Sequence, residues 1–468
     1  MRLSPLSALL AVAVVAAGCS TTGPAGSDGG PSALTVDPFP PFVPPAPTFD
    51  FSTVIDPDHA HEVPELHTGG HGLEVVGHVG LQDILPVGTR GSITQVDVWG
   101  DWAVVSGMEG GLAFAIIDIK DPAAPKAVSW YPSTADGWTA RFSDDGNYVF
   151  YGCQTLGPLN PQSSVEGTCV DASKPHAPGE EGNGIVAVNV TDRANPRFAA
   201  FVNVQGSHNL QTANINGTDY VFTEITEIVA FDRATQTFSV AATVPGVHDA
   251  TAQRHPATGR WVLYTGASNS FRIYDIENPA DPKLLYDGPS SDPWTGWHEQ
   301  TPIPHLVDGR ALVILAGESF VNIPQEGSTG DVVSIVNVTD PTHPQLLGTW
   351  RLPIKPTLPW QGYMFSAHEI AATPTGQVAI GWYHGGAWVF DVSTKDRQAK
   401  PVTLAAFQPH DLPNVVPATF FQVPVPLVPF VWGAGWTHQG YLVVPDMHTG
   451  LYVLKPEWGL HPSLDGGQ

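Results

Sequence analysis

Basic residues are scarce in this chain: 20 Lys and Arg stand against 45 Asp and Glu, for a formal net charge of −25 over 468 residues. That balance repels phosphate backbones and anionic lipid headgroups, so nucleic acid and acidic membrane surfaces are poor partners. Charged residues of either sign make up only 14%, and the surface must rely on uncharged polar groups, Gly and Pro. Helical periodicity is nearly absent, which argues against a bundle. No Gly-x-Ser-x-Gly elbow, P-loop, dinucleotide fingerprint or His-Glu-x-x-His occurs, which removes the usual signatures of serine hydrolases, nucleotide enzymes and zinc proteases. Cysteine is limited to three residues.

Glycine and proline, in contrast, number 48 and 45, about a fifth of the chain. That abundance suits a fold with a tight turn every eight to twelve residues. The first nineteen residues, MRLSPLSALLAVAVVAAGC, combine one basic residue, an apolar core and small residues before Cys19, and read as an export signal. Ala16-Ala17-Gly18-Cys19 resembles a bacterial lipobox, which implies lipidation of Cys19 and attachment to a membrane through the lipid; the alternative is an ordinary cleaved signal peptide. Residues 20–68 are Gly/Ser-rich and then Pro-rich, and read as a disordered, extended tether. Cys153 and Cys169 remain as an even pair in an oxidising compartment, inside the longest insertion, and read as a disulfide.

From residue 69 to 460 the chain repeats one unit. Residues 332–350, VVSIVNVTDPTHPQLLGTW, give a β-branched strand, a turn forced by Asp340-Pro341 and Pro344, and a second apolar strand. Equivalent segments begin near residues 113, 185, 227, 271 and 387, with a truncated copy at 450–458. Asn189, Asp232 and Asp275, which end three of these strands, are spaced by about 43 residues, the length of a propeller blade. Seven Gly-led second strands, from GDWAVVSG (100–107) to GYLVVPD (440–446), fix the count. The expected fold is all-β, a seven-bladed propeller of residues 69–460 with a short tail at 461–468. The last copy lacks its outer strand, and the spare segment 73–81 (LEVVGHVGL) is expected to supply it and close the ring.

The aliphatic run, the Asp/Asn and the Asp-Pro-x-x-Pro turn together resemble the LVIVD-repeat family of bacterial propellers over residues 73–458. DMHTGLYVLK (446–455) is similar to that family's C-terminal signature. The third and sixth copies (FDRATQTF and DVSTKDRQAKP) depart from the turn. The resemblance implies an exported propeller and carries no common reaction.

Eighteen histidines are distributed with respect to the blades. His208, His248, His298 and His368 stand just before the innermost strands of blades three to six, and Trp138 and Trp432 hold the same place in blades two and seven. Turns opening on the same face bring Glu109, Glu224, Glu227, Glu318, His384, Asp446 and His448, and Glu299 and Glu369 adjoin two of the histidines. Imidazoles converging at the axis are the ligand type for a first-row transition metal, with carboxylates as further ligands or as acceptors that fix the tautomer. The competing reading is scaffold: histidines at this place bond neighbouring strands in other propellers, and adjacent His-Glu side chains on a strand point opposite ways. Eight tryptophans from Trp294 to Trp436 offer either a carbohydrate-stacking surface or blade packing, and packing is the expected use.

Three functions follow: a lipid-anchored, monomeric propeller binding a protein, glycan or small ligand; a metal-dependent propeller enzyme, oxidoreductase rather than hydrolase; and a calcium-dependent lactonase-like hydrolase, which needs Glu, Asn and Asp at the axis in place of His.

Overall fold

The Asp-Pro turn that defines the repeat works through two side-chain caps three residues apart. In the fifth blade Asn337 accepts from the Thr339 N–H (3.0 Å) and Asp340 from the Thr342 N–H (2.9 Å). Asp118 and Asp121 do the same in the first blade, Asn189 and Asp192 in the second, and Asp275 and Asn278 in the fourth. These caps satisfy backbone donors that a sharp turn leaves unpaired. In the third blade Asp232 alone caps Ala234 and Thr235. In the sixth the turn is replaced by a short helix, Lys395–Ala399, capped by Thr394. The two copies that depart in sequence therefore depart in the turn and keep the strands.

The computed structural model describes residues 40–54, 69–85, 91–108, 112–133, 136–154, 184–204, 206–224, 227–245, 248–267, 270–289, 298–318, 332–353, 364–409, 419–420, 423–424 and 429–460. Among the described residues seven antiparallel blade sheets follow one another along the chain, the first six joined in sequence order from innermost to outermost strand, and Thr419–Phe420 with Val423–Pro424 forms a separate two-stranded ribbon. The first blade is Ser92–Trp99, Trp102–Met108, Leu112–Asp118 and Lys126–Pro132. The innermost strands of the other six begin at Asp136, Leu210, Ala250, Glu299, Ile370 and Gly435.

Burial explains the sequence pattern strand by strand. A middle strand is covered on both faces by neighbouring blades, so Val332–Asn337 and Leu312–Ala316 read as near-continuous apolar runs. The outer strand Gln345–Arg351 meets solvent and mixes exposed with half-buried positions. In blades one to six the third and outer strands slip by one residue at a bulge, as between Ile335 and Val336, which adds twist to the outer edge.

Closure follows the sequence expectation. Leu73–Gly80 pairs antiparallel with Gly450–Pro456 as the outer strand of the seventh blade, and carries the same slip, between Val75 and Gly77. A Cβ on Gly77 would sit 2.1 Å from the Pro122 carbonyl oxygen of the first blade, so only glycine permits this approach. Two features were not expected. Gly69–His71 adds a fifth strand to the sixth blade by pairing with Val402–Gln408. Residues 40–54, part of the predicted free tether, also lie against that blade: the Phe42 carbonyl accepts from Gln377, and Phe51 is buried beside Trp388. A buried aromatic ring removes enough apolar surface from water to hold this stretch down. Residues 1–39, with Cys19, lie outside the described residues, as does Cys169. Among the described residues no helix is long and apolar enough to cross a membrane.

Candidate metal centre

The innermost strands start just after the axial histidines: Glu299 begins its strand one residue after His298, and Leu210, Ala250 and Ile370 begin theirs two residues after His208, His248 and His368. The imidazole therefore leaves from a bend, free of strand alternation, and both His298 and Glu299 turn to the axis. The expectation that neighbouring His and Glu point apart is corrected here, because alternation applies only within the pleat.

Six rings close around the axis at this level. Centroid separations run 4.3 Å from Trp138 to His208, 5.7 Å to His248, 4.4 Å to His298, 4.4 Å to His368, 4.7 Å to Trp432 and 6.0 Å back to Trp138. The four histidines thus lie along one arc. Glu318, at the end of the second strand of blade five, reaches under that arc. Its two oxygens lie 3.4 Å from His298 Nε2 and 3.8 Å from His368 Nε2. On the other side of these rings, His298 Nδ1 stands at ion-pair distance from Asp249 (3.4 Å), and His368 Nδ1 bonds the Trp432 carbonyl at 3.1 Å. A carbonyl only accepts, so His368 carries its proton on Nδ1 and keeps the Nε2 lone pair toward Glu318. Donor atoms of His248, His298 and Glu318 all fall within 4.8 Å of one another, a spacing that a shared ion closes with small side-chain adjustments.

Burial and neighbouring charges set the protonation. Burial, then the charge of nearby histidines, holds His298 and His368 well below the ordinary imidazole range, and His208 down to about 3. Their lone pairs are therefore open, as ligation requires. For His248 burial acts the same way, but the hydrogen bond and charge of Asp249, with Glu224 and Glu318 beyond, outweigh it and push the imidazole up to about 9. Burial raises Glu318 to about 7, against the hydrogen bond from Tyr383 and the charge of His248. The Tyr383 hydroxyl donates a short bond to Glu318, and its ring packs 4.9 Å from His368. Tyr383 holds φ at 47°, a conformation costly for a bulky residue and kept only where surroundings impose it.

A second polar layer lies one residue further along the strands. Asp249, Glu299 and Glu369 place carboxylate oxygens within 4.8 Å of one another. Arg141 Nη2 donates to Glu369 (3.2 Å), while Gln95 Nε2 donates to Glu369 (2.8 Å) and to Asn209 (3.1 Å). The axis thus carries the Glu, Asn and Asp set as well as histidine, contrary to the expectation that His stood in its place. The guanidinium already supplies the cation for these carboxylates, and a calcium ion would have to sit against it.

The remaining candidates separate from the centre. Glu224 accepts from the His208 backbone N–H (3.0 Å) at the edge of the arc. Glu227 accepts from Thr223 within its own hairpin. Asp446 caps the turn before the last strand, accepting from Phe430, His448 and Thr449. His384 Nδ1 accepts from the Met364 N–H (2.8 Å) with its ring against Phe430. His448 is buried in the same turn as Asp446. Among the described residues none of these five joins a metal-holding group, and Glu109 lies outside the described residues. Nothing in the sequence singles out Tyr383 or Arg141, whose roles come from contacts across the disc.

Residues 90–132, which span the first blade, match the model of the LVIVD repeat. No curated protein matches the chain in sequence. Among solved structures, one of U3-55K shares 12% identity at a TM-score of 0.45 and covers 82% of this chain and 98% of that one. A crystal structure of RRP9 WD40 repeats gives the same identity and score, covering 82% and 100%. The strand pairing and the matched repeat together make this protein a seven-bladed β-propeller with an LVIVD repeat as its first blade.

Proposed function

We propose that this chain is a metal-dependent propeller oxidoreductase, with a first-row transition metal held at the axis by His298, Glu318 and His248, the last two giving up their protons on binding, and flanked by His368 and His208. One observation carries the reading. The Nε2 atoms of His298 and His368 face the two oxygens of Glu318 at 3.4 and 3.8 Å, while His298 Nδ1 stands at ion-pair distance from Asp249 (3.4 Å) and His368 Nδ1 bonds the Trp432 carbonyl. Outer partners that fix the tautomer in this way are the usual accompaniment of metal-ligating histidines. Imidazole with carboxylate suits iron, copper or zinc, and iron or copper would supply electron transfer or oxygen chemistry. The wall of the site favours oxidation over hydrolysis. Trp138, Tyr383, Phe430, Trp432 and Met447 are each at most 2% exposed, and such a wall keeps out the bulk water that hydrolysis consumes.

The protein residues have separable tasks. Asp249 sets the charge beside His248 and His298 at 3.6 and 3.4 Å, Tyr383 holds Glu318, and the aromatic ring sets the polarity. The chain is exported through residues 1–19 and anchored by lipid on Cys19, which puts the centre in an oxidising compartment where a Cys153–Cys169 bridge is stable.

Elemental analysis of the purified mature protein tests this reading. Near-stoichiometric metal is expected, lost in His298→Ala and His368→Ala while the β-sheet circular dichroism is unchanged. A protein that is metal-free as purified and takes up no iron, copper or zinc would leave a propeller that binds a ligand without catalysis.

A further inference from the structure

We propose a second ligand site, at the end of the axial channel away from the histidine ring, that takes a small neutral polyhydroxy molecule such as a single sugar ring. It is independent of the metal reading. Strand alternation builds it, since every second residue of an innermost strand faces the axis. Beyond the carboxylate layer these residues are Asp97, Arg141, Gln211, Thr251 and Gln253, while the intervening Ala140, Leu210 and Ala250 sit in the apolar cores between blades. The former line a cavity of about 360 Å³ whose wall also includes Trp436, a size in the range of small-molecule sites.

Four polar atoms on this wall are buried with no hydrogen-bond partner in the protein: Arg141 Nε, Thr251 Oγ1, Gln253 Oε1 and Glu299 Oε2. Together they offer a donor, a hydroxyl and two acceptors, the complement of adjacent alcohol groups. Charge excludes the alternatives. Asp97, whose Oδ2 accepts from the Phe142 N–H at 2.7 Å, Glu299 and Glu369 surround Arg141 and disfavour an anion, while the guanidinium, already paired with Glu369 at 3.2 Å, disfavours a second cation. At the rim, Trp436 packs against the core between blades six and seven and donates its N–H to the Ala371 carbonyl (3.3 Å), so the indole is fixed where it lines the cavity. A fixed indole presents a flat surface to the C–H face of a sugar.

Saturation-transfer NMR with D-glucose, myo-inositol and glycerol, against acetate and ethylamine as charged comparators, tests the proposal. Saturable binding of at least one neutral probe in the millimolar range is expected. Binding should weaken at least tenfold in the near-isosteric Thr251→Val/Gln253→Leu double variant and in Trp436→Ala, and persist in His298→Ala. The proposal is overturned by a folded protein that saturates with no neutral probe, by charged probes binding as well as neutral ones, or by unchanged binding in the Thr251→Val/Gln253→Leu protein.

Discussion

Between the first and second blades, Val104, Phe114, Ile116, Val149 and Val186 are fully buried in a cluster dominated by aliphatic and aromatic side chains. At the axis His298, Glu299, Glu369 and His368 are almost as thoroughly buried, yet every one is ionisable. The first region gives stability: each ring or branched side chain removed from water contributes roughly 1.5–3 kcal/mol. The second costs stability, because ionisable groups out of water must be neutralised or paired. The molecule meets that cost with neutral imidazoles, raised carboxyl pKa values and one guanidinium. Such a cluster persists where the inter-blade packing around it is strong enough to hold it, which is why the proposed site is placed there.

Substitutions at the two regions should therefore separate fold from function. The largest effect is expected for Phe114→Ala between blades, a loss of about 3–5 kcal/mol in denaturant unfolding with metal content per folded molecule unchanged. If metal falls in parallel with stability, the two regions are not separable. Next is the proposed Cys153–Cys169 bridge: Cys153→Ser should cost about 3 kcal/mol in the chain-entropy picture, and thiol titration of the denatured, unreduced mature protein should find no free cysteine. Two free thiols would end that proposal.

At the axis the expected pattern reverses. Tyr383→Phe removes the donor to Glu318, and metal affinity should fall about tenfold while the unfolding midpoint moves by no more than about 1 kcal/mol. Unchanged affinity would make the tyrosine packing alone. The smallest effect concerns pH. Burial and the charge of Asp249 push Glu369 up to about 7, against Arg141. A carboxyl raised above its unfolded value of 4.5 stabilises the fold fully below that value, and the contribution is lost as pH rises through 7. Metal-free protein should thus lose stability between about pH 4.5 and 7, and Glu369→Gln should flatten the slope. His368, Glu299 and Asp249 face the same carboxyl, so the comparison is made with that single variant in one buffer series. An identical slope in the variant would assign the titration to one of those neighbours.

Much of this architecture was legible in the residues. The β-branched runs and the Gly-led second strands are local chemistry repeated seven times, with paired Asp/Asn caps in four of the blades, so blade number and the spare strand before residue 81 could be counted. The same register put one histidine at the head of four consecutive blades. The site itself was legible only in outline. Asp446, His384 and His448 share its turns in sequence yet serve caps and packing, and the direction of Glu299 depended on the strand starting one residue later than alternation assumes.

What the sequence determined by itself was the repeat, and with it the closed ring, because strand and turn preferences act over a few residues. What only the tertiary structure decided was which polar groups meet. Arg141 reaches Glu369 across 228 residues, Tyr383 finds Glu318 across 65, and residues 40–54 settle on the sixth blade. Such pairings follow from closing the ring, which brings seven distant strands to one axis and leaves their inward side chains no neighbours but each other.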